Sequence, residues 1–299
     1  STEKGFTIQS LATDPGLPGA AGATWASAPS LNVAKAIMGH AGTQTAGLVF
    51  GGSPGNLDTT EKYDGTTWTE VNDLNTGRAD TGGCGTQTAA LYVGGMTPPI
   101  TNKVESYDGT SWSEENDLLV ANERASAIGT NTAALFVGGI INPTFQDTTV
   151  LWNGTSWTEV NDINLARDQT AGGGTTTAAL LTTGEKAPSG ATDKTEIYDG
   201  TSWSEVGDVN TPRINAGGSG TSTLFLVYGG YPGFQAVTEA WDGTSWTEVA
   251  DLATGRNELS YGSQGTSIAC LATGGTTPAY TATVEAFTVP STIKTFTAS

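Results

Sequence analysis

The sequence predicts an all-β protein, a six-bladed β-propeller with four antiparallel strands in each blade. Three observations lead to this fold. Gly and Thr are abundant, and no helical period extends along the chain. One Trp recurs late in each unit, with the same period as a second motif. That motif is Gly-Thr followed by an apolar run, and it starts at Gly42, Gly85, Gly129, Gly174, Gly220 and Gly265. A period near 45 residues with strand-like runs and one late Trp is typical of a propeller blade.

The second repeat shows how the four strands of a blade, a to d from the axis outward, are predicted. Residues 79–84 are small and Gly-rich, which suits strand a, because strands crowded around an axis have little room. Residues 89–93 are continuously apolar, as expected for strand b, buried on both faces. Residues 103–107 alternate and predict strand c, and the polar residues 111–114 predict strand d at the outer edge.

The connection between strands c and d carries the strongest local signal. It is an Asp-Gly or Asn-Gly turn of the kind that joins two strands of a hairpin, as at Asp108-Gly109. This turn predicts that the aromatic residue ending strand c lies opposite the Trp that begins strand d. The expected pairs are Tyr63–Trp68, Tyr107–Trp112, Trp152–Trp157, Tyr198–Trp203 and Trp241–Trp246. We expect them to pack between neighbouring blades.

The last repeat lacks its fourth strand. Its third strand, at residues 284–287, is followed by neither an Asp-Gly turn nor a Trp. The missing Trp is Trp25, which precedes Trp68 by the usual spacing. We therefore predict that the N-terminal strand around Trp25 closes the last blade, with Trp25 facing Phe287. The predicted organisation is an N-terminal arm (1–22), the propeller (23–290) and a C-terminal tail (291–299).

The blade resembles the kelch repeat, in which an apolar strand ends in Gly-Gly, an aromatic residue closes the third strand and a Trp follows in the fourth. The Gly pairs are Gly51-Gly52, Gly94-Gly95, Gly138-Gly139, Gly229-Gly230 and Gly274-Gly275. The fourth repeat departs from the pattern with Thr183-Gly184. The uniform repeats with Asp-Gly-Thr-Ser-Trp also make the chain resemble the Thr- and Gly-rich kelch-like proteins of marine bacteria and phages. This resemblance implies a fold far more than a function.

Composition narrows the range of partners. The net charge of −18, from 30 acidic and 12 basic residues, disfavours nucleic acid and anionic membrane surfaces. No apolar run approaches 18 residues, so we expect no membrane insertion. Such acidity suits a salty medium, and we expect an extracellular or virion-associated protein. Two cysteines, Cys84 and Cys270, are expected to be free and buried rather than bridged.

Two charged positions repeat after the Trp of strand d, an acidic residue five positions on and a basic residue five further. The acidic residues are Asp73, Asp117, Asp162, Asp208 and Asp251, with Ser30 in the first slot. The basic residues are Arg78, Arg167, Arg213 and Arg256, with Lys35 and Asn122 as variants; Arg124 lies two residues past Asn122. A ring of guanidinium groups at one mouth of the channel would hold an anion. A repeated Asp–Arg or Arg–backbone tie between blades is the interpretation we favour, because a structural device recurs in every blade. The same reasoning makes the Glu repeated in strand c structural.

The connections between strands b and c differ from blade to blade, whereas the a–b and c–d turns are nearly invariant. They are Pro-rich and carry aromatic residues that we expect to be exposed: Phe145, Tyr231, Phe234 and Tyr280. Alternating strands place the b–c loops and the d–a connections on one face. Variable loops on a rigid scaffold are the usual place for binding, although tolerated insertions would produce the same pattern.

The residue inventory argues against catalysis. His40 is the single histidine, so no nucleophile triad and no zinc or copper site can be assembled; we expect no cofactor and no metal. We predict a non-catalytic structural or adhesive scaffold that binds a protein partner through the b–c loop face. The alternative is a multivalent, lectin-like propeller that binds glycans through its repeated aromatic and Asp/Arg positions. A third hypothesis is an enzyme resembling six-bladed kelch mutarotases that act on sialic acid. It requires an Arg and a Glu apart from their repeats, which the sequence does not make evident.

Overall fold

A computed structural model describes residues 22–188, 190–261 and 265–290. In it, six four-stranded antiparallel sheets form the blades of a propeller, and no helix occurs among those residues. The predicted fold is therefore confirmed. Residues 1–21 of the predicted arm and the predicted tail 291–299 lie outside the described residues.

The strands follow the predicted order. The chain opens with β1 (Thr24–Ala28). Blade 1 contains β2 (Gly39–Thr43), β3 (Ala46–Phe50), β4 (Thr60–Tyr63) and β5 (Trp68–Val71). Blade 2 contains β6 (Gly83–Thr86), β7 (Ala89–Val93), β8 (Val104–Tyr107) and β9 (Trp112–Glu114). Blade 3 contains β10 (Ser126–Gly129), β11 (Ala134–Val137), a short hairpin of β12 (Ile140–Ile141) and β13 (Thr144–Phe145), then β14 (Thr149–Trp152) and β15 (Trp157–Val160).

The second half repeats this plan. Blade 4 contains β17 (Ala171–Thr175), β18 (Ala178–Thr182), β20 (Thr195–Tyr198) and β21 (Trp203–Glu205). Two short strands beside it, β16 (Arg167–Asp168) and β19 (Glu185–Lys186), pair with each other. Blade 5 contains β22 (Gly217–Gly220), β23 (Phe225–Tyr228), β24 (Thr238–Trp241) and β25 (Trp246–Glu248). Blade 6 contains β26 (Gly265–Thr266), β27 (Ala269–Thr273) and β28 (Val284–Thr288).

The ring closes as predicted. Strand β1 pairs antiparallel with β28 and supplies strand d of blade 6. Trp25 lies opposite Phe287, and their ring centroids are 5.2 Å apart. The indole Nε1 of Trp25 donates to Thr238 Oγ1 of blade 5 at 3.1 Å. The N-terminal strand therefore joins the two ends of the propeller and also contacts the neighbouring blade.

The five predicted aromatic pairs all form in the predicted register. In blade 1 the rings of Tyr63 and Trp68 stack with centroids 4.8 Å apart. Packing between blades is visible at Phe50 of blade 1, whose ring lies 4.8 Å from that of Trp112 in blade 2. The buried core is thus divided among the seams between blades, and each late Trp belongs to one seam.

Small residues line the axis because larger ones do not fit. A Cβ added at Gly39 would lie 2.1 Å from Phe50 Cε2, and one at Gly83 would lie 2.5 Å from Phe50 Cζ.

The two cysteines and the histidine are packed in the protein interior. Cys84 and Cys270 are free and buried, and burial raises the pKa of each thiol to about 12. Burial also lowers the pKa of His40 to about 3, and its Nε2 lies 2.7 Å from Thr273 Oγ1.

Candidate binding face

One face of the propeller carries both the b–c loops and the d–a connections. Each b–c loop rests against the connection that enters its own blade through a β-bridge or a short strand pair. Examples are Ala79 with Met96 in blade 2 and Ile214 with Tyr231 in blade 5. The loops therefore have backbone hydrogen bonds of their own, and this face is a defined surface rather than a set of free loops.

The repeated arginines lie beneath this face and are fully buried. The residues are Arg78, Arg167, Arg213 and Arg256. Each pairs with the repeated Glu in strand c of the blade it enters, namely Glu105, Glu196, Glu239 and Glu285, and Lys35 pairs likewise with Glu61. Buried and paired, these groups do not form the exposed ring that anion binding requires. The geometry is that of a structural tie. The arginines donate to backbone carbonyls, as Arg78 does to Tyr92 O at 3.1 Å, which is the expected Arg–backbone tie, but the carboxylate is the strand-c Glu rather than the Asp.

The repeated Asp has another role in three of the blades. Asp73 Oδ1 accepts a hydrogen bond from the backbone N–H of Thr60 at 3.2 Å, and Asp162 and Asp251 make the same contact with Thr149 and Thr238. In these three blades the Asp therefore fixes the start of strand c, whereas Asp117 and Asp208 lie 3.7 and 2.9 Å from the amino groups of Lys103 and Lys194.

A third repeated residue, missed by the sequence analysis, completes the tie. In blade 2, Asn75 donates its backbone N–H and its Nδ2 to Glu105 Oε2 at 2.7 and 2.9 Å. The same Nδ2 donates to the carbonyl of Trp112 at 3.0 Å. Equivalent contacts occur at Asn32, Asn164 and Asn210. We name this set the Asn–Glu–Arg cluster; its signal is an Asn seven residues after the Trp of the preceding blade.

At the centre of the face, one side chain from each blade surrounds the channel. The six residues are Ile37, Asp80, Arg124, Gln169, Asn215 and Glu258, each two positions after the basic slot. All six have left-handed backbone conformations, with φ between 45° and 63°. With Tyr261 they line a cavity of about 260 Å³, which we name the loop mouth. A highly repetitive sequence places six different side chains here.

Hydrogen bonds hold the loop mouth in one arrangement. Arg124 Nε donates to Asp80 Oδ2 at 3.0 Å. The hydroxyl of Tyr261 lies 3.0 Å from Asp80 Oδ1 and 2.7 Å from Asn215 Oδ1, two residues from opposite sides of the ring. Burial raises the pKa of Tyr261 well above its ordinary value, so the hydroxyl stays protonated. Tyr261 thus lies across the channel and joins non-adjacent blades.

The buried carboxyl group of Asp168 lies next to this hydrogen-bond network. Asp168 accepts a hydrogen bond from Gln169 Nε2 at 3.3 Å, and its Oδ2 lies 3.7 Å from Arg124 Nη1. Burial raises the pKa of Asp168 to about 7 despite these contacts. The structure therefore gathers an Arg outside the repeated slot with several carboxyl groups. Sequence analysis did not identify this group of charged residues, because its members come from different blades and share no local motif.

Aromatic residues of the b–c loops form a second feature of the face. Tyr231, Phe234 and Tyr280 are 50%, 45% and 42% exposed, whereas Phe145 is half-buried in the β12–β13 hairpin. Asn257 joins the loops of blades 5 and 6: its Nδ2 donates to Gly233 O at 3.1 Å, and its Oδ1 accepts from Thr276 Oγ1. The three exposed rings therefore lie on two linked loops, which we name the aromatic patch.

The opposite end of the channel is lined by small residues instead. A cavity of about 160 Å³ there is lined mainly by the glycines of the a–b turns. Among residues 22–188, 190–261 and 265–290, no group of three or more His, Cys, Asp or Glu is arranged to hold a metal ion. Within the same ranges no helix long and apolar enough to cross a bilayer is found.

Comparisons with known proteins bear on the fold alone. No family model and no curated protein matches the chain. A solved structure described as the structure of YjhT aligns with 88% of this chain and 97% of that chain, with a TM-score of 0.72 and 16% sequence identity. At this identity the similarity shows a shared propeller architecture.

Proposed function

We propose that this protein is a non-catalytic, kelch-type propeller that binds a protein partner through its loop face, as a structural or adhesive component outside a cell or on a virion. The observation that carries the proposal is the aromatic patch. Tyr231, Phe234 and Tyr280 are large, exposed and held on two linked loops. Aromatic residues are enriched in the energetically important centres of protein interfaces.

Rigidity strengthens this proposal. Binding normally costs free energy to order loops and side chains, and a preorganised surface avoids part of that cost. Here Tyr231 exchanges two backbone hydrogen bonds with Ile214, at 2.8 and 3.0 Å, and Asn257 fixes Gly233 of the same loop. The net charge of −18 favours a basic partner, whose approach would be steered at low ionic strength.

A displayed random-peptide library tests the proposal. We expect the immobilised protein to enrich peptides that lose binding to the Tyr231→Ser/Phe234→Ser/Tyr280→Ser variant. A matched variant on the opposite face, Thr45→Ser/Thr88→Ser/Thr132→Ser, should retain them. If the enriched peptides bind all three proteins equally, or if none is enriched, the aromatic patch is not the binding surface.

A glycan is the alternative ligand, and the loop mouth is the feature that favours it. Carboxylate, amide and guanidinium groups such as those of Asp80, Asn215 and Arg124 hydrogen-bond sugar hydroxyls. The repeated aromatic and Arg side chains are buried, which leaves them no surface for the sugars they were expected to bind.

A glycan array at low and high salt distinguishes glycan binding from binding of a protein partner. Binding to one sugar family that is lost in Asp80→Asn would favour the glycan, and a blank array would leave the protein partner.

A further inference from the structure

Blade 3 is the one blade in which the Asn–Glu–Arg cluster is replaced. Leu119 occupies the Asn position, Val150 the Glu position and Asn122 the basic position. The other five blades keep the ion pair between Glu and Arg or Lys. Blade 6 has Ala253 at the Asn position, yet its backbone N–H still donates to Glu285 at 2.7 Å. The replacement in blade 3 is therefore concerted: the acid, its cation and its amide are lost together.

A concerted loss avoids leaving a buried charge without a partner, but it does not explain the surface that results. Two of the three replacing side chains, Leu119 and Val150, are apolar, and apolar side chains normally pack into the core. Instead Leu119 is 58% exposed and its neighbour Val120 is 60% exposed. Adjacent exposed aliphatic residues beside an apolar cavity are unfavourable in water and mark interaction sites.

The cavity lies between these two residues and the body of blade 3. It has a volume of about 70 Å³ and is lined by Leu118, Leu119, Val120, Phe136, Ile141 and Val150 together with four polar residues. We name it the blade-3 pocket. Its lining includes Asn122 and Val150, the residues that replace the Arg and the Glu of the other blades, so the pocket lies where those blades hold their ion pair.

Two polar residues of the pocket, Asn122 and Glu159, differ in their access to a ligand. Asn122 is 6% exposed and donates its Nδ2 to Gly138 O at 2.8 Å. Its Oδ1 is buried and has no hydrogen-bond partner among the described residues. A Cβ added at Gly139 would lie 2.5 Å from this oxygen, so the oxygen packs against Gly139 and is not open to a ligand. Glu159 also lines the pocket and is itself exposed, which gives the rim a negative charge.

We propose that the blade-3 pocket binds an apolar side chain from a basic segment of a partner protein, with the cationic residues of that segment facing Glu159. The apolar wall selects the side chain and the acidic rim selects the flanking charges. The site is independent of the aromatic patch, which lies on blades 5 and 6.

A defined peptide tests this assignment. The probe is acetyl-Lys-Lys-Leu-Lys-Lys-amide, titrated into ¹⁵N-labelled protein and followed by NMR. We expect saturable shifts at the amides of Leu119, Val120 and Asn122. The peptide with Gly in place of Leu should bind about tenfold more weakly or worse, as expected when one buried Leu side chain is lost. The peptide with Glu in place of each Lys should not bind.

The chain itself supplies the matched variant. Leu119→Asn/Asn122→Arg/Val150→Glu restores in blade 3 the cluster found in blade 2, and should abolish the shifts while leaving the fold unchanged. Leu119→Ser/Val120→Ser changes only exposed side chains, so it tests the same site if the first variant does not fold. The proposal is overturned if no shifts occur, if the Gly peptide binds as well as the Leu peptide, or if a folded variant binds like the unaltered protein.

Discussion

The channel has two ends, the loop mouth and the end lined by the a–b turns, which we name the a–b mouth. Both ends are built from one residue of each blade, but the residue types differ. Each takes one residue per blade, and each of those residues has positive φ. At the a–b mouth the residue is Gly in all six blades, with φ between 95° and 136°. At the loop mouth φ lies between 45° and 63°, and six different side chains occur. One mouth is therefore uniform in sequence and the other varies.

Backbone geometry explains the uniform mouth. A Cβ at Gly42 would lie 2.1 Å from the carbonyl oxygen of Ala46, and one at Gly85 would lie 2.2 Å from that of Ala89. The loop mouth has no such constraint, because its φ values fall in the left-handed region that L-residues can enter at moderate cost. Glycine would be easiest there too, yet no blade uses it. Strained backbone positions cluster at functional sites, so the variable ring at the loop mouth is a candidate binding site.

The largest effect that we expect is on stability, and it distinguishes the buried arginines of the repeated cluster from Arg124 at the loop mouth. Arg213→Met leaves Glu239 buried without its cation and should lower the free energy of unfolding by about 3–5 kcal/mol. Arg124→Met, at the loop mouth, should cost much less, because its guanidinium is about a third exposed. Urea unfolding followed by Trp fluorescence measures both. Equal losses would show that the variable ring is as structural as the repeated cluster.

The next effect tests the two mouths directly. Gly85→Ala combines a backbone clash with a φ of 112° and should destabilise by at least about 2 kcal/mol. Ile37→Asn replaces a β-branched residue at φ 45° with one that tolerates this conformation. Its stability should rise by up to about 1 kcal/mol or stay unchanged. A loss at residue 37 comparable with that at Gly85 would contradict our account of the difference.

The last prediction concerns an effect of pH, which is spread over about three pH units and is the smallest per unit. Burial raises the pKa of Asp168 to about 7, above the value of an unfolded chain, so the folded state holds a proton that the unfolded state releases. Stability from this group is full at low pH and declines as pH rises from about 4 to 7, by at most about 1.4 kcal/mol per unit. Asp168→Asn should flatten this slope in melting temperatures recorded across that range. An identical slope in the variant would mean that Asp168 is ionised throughout.

Residues whose partners are fixed by local geometry were predictable. The Asp-Gly turn at Asp108 sets the register of Tyr107 and Trp112, and the period alone assigned Trp25 to the last blade. The burial of Arg78 was only one of two interpretations, because its partner Glu105 belongs to another strand and sequence gives no distance between them. The exposure of Leu119 was missed, since an apolar residue in a connecting segment has no periodic pattern to place it.

The sequence by itself determined the number of blades, the order and register of their strands, and the closure of the ring. These features follow from turn chemistry and a repeated period, which act over short stretches of chain. Only the tertiary structure decided which charges are buried in pairs, that Tyr261 spans the channel between Asp80 and Asn215, and that blade 3 retains an open pocket. Those outcomes depend on side chains from different blades meeting around one axis, and their separation along the chain carries no signal of that meeting.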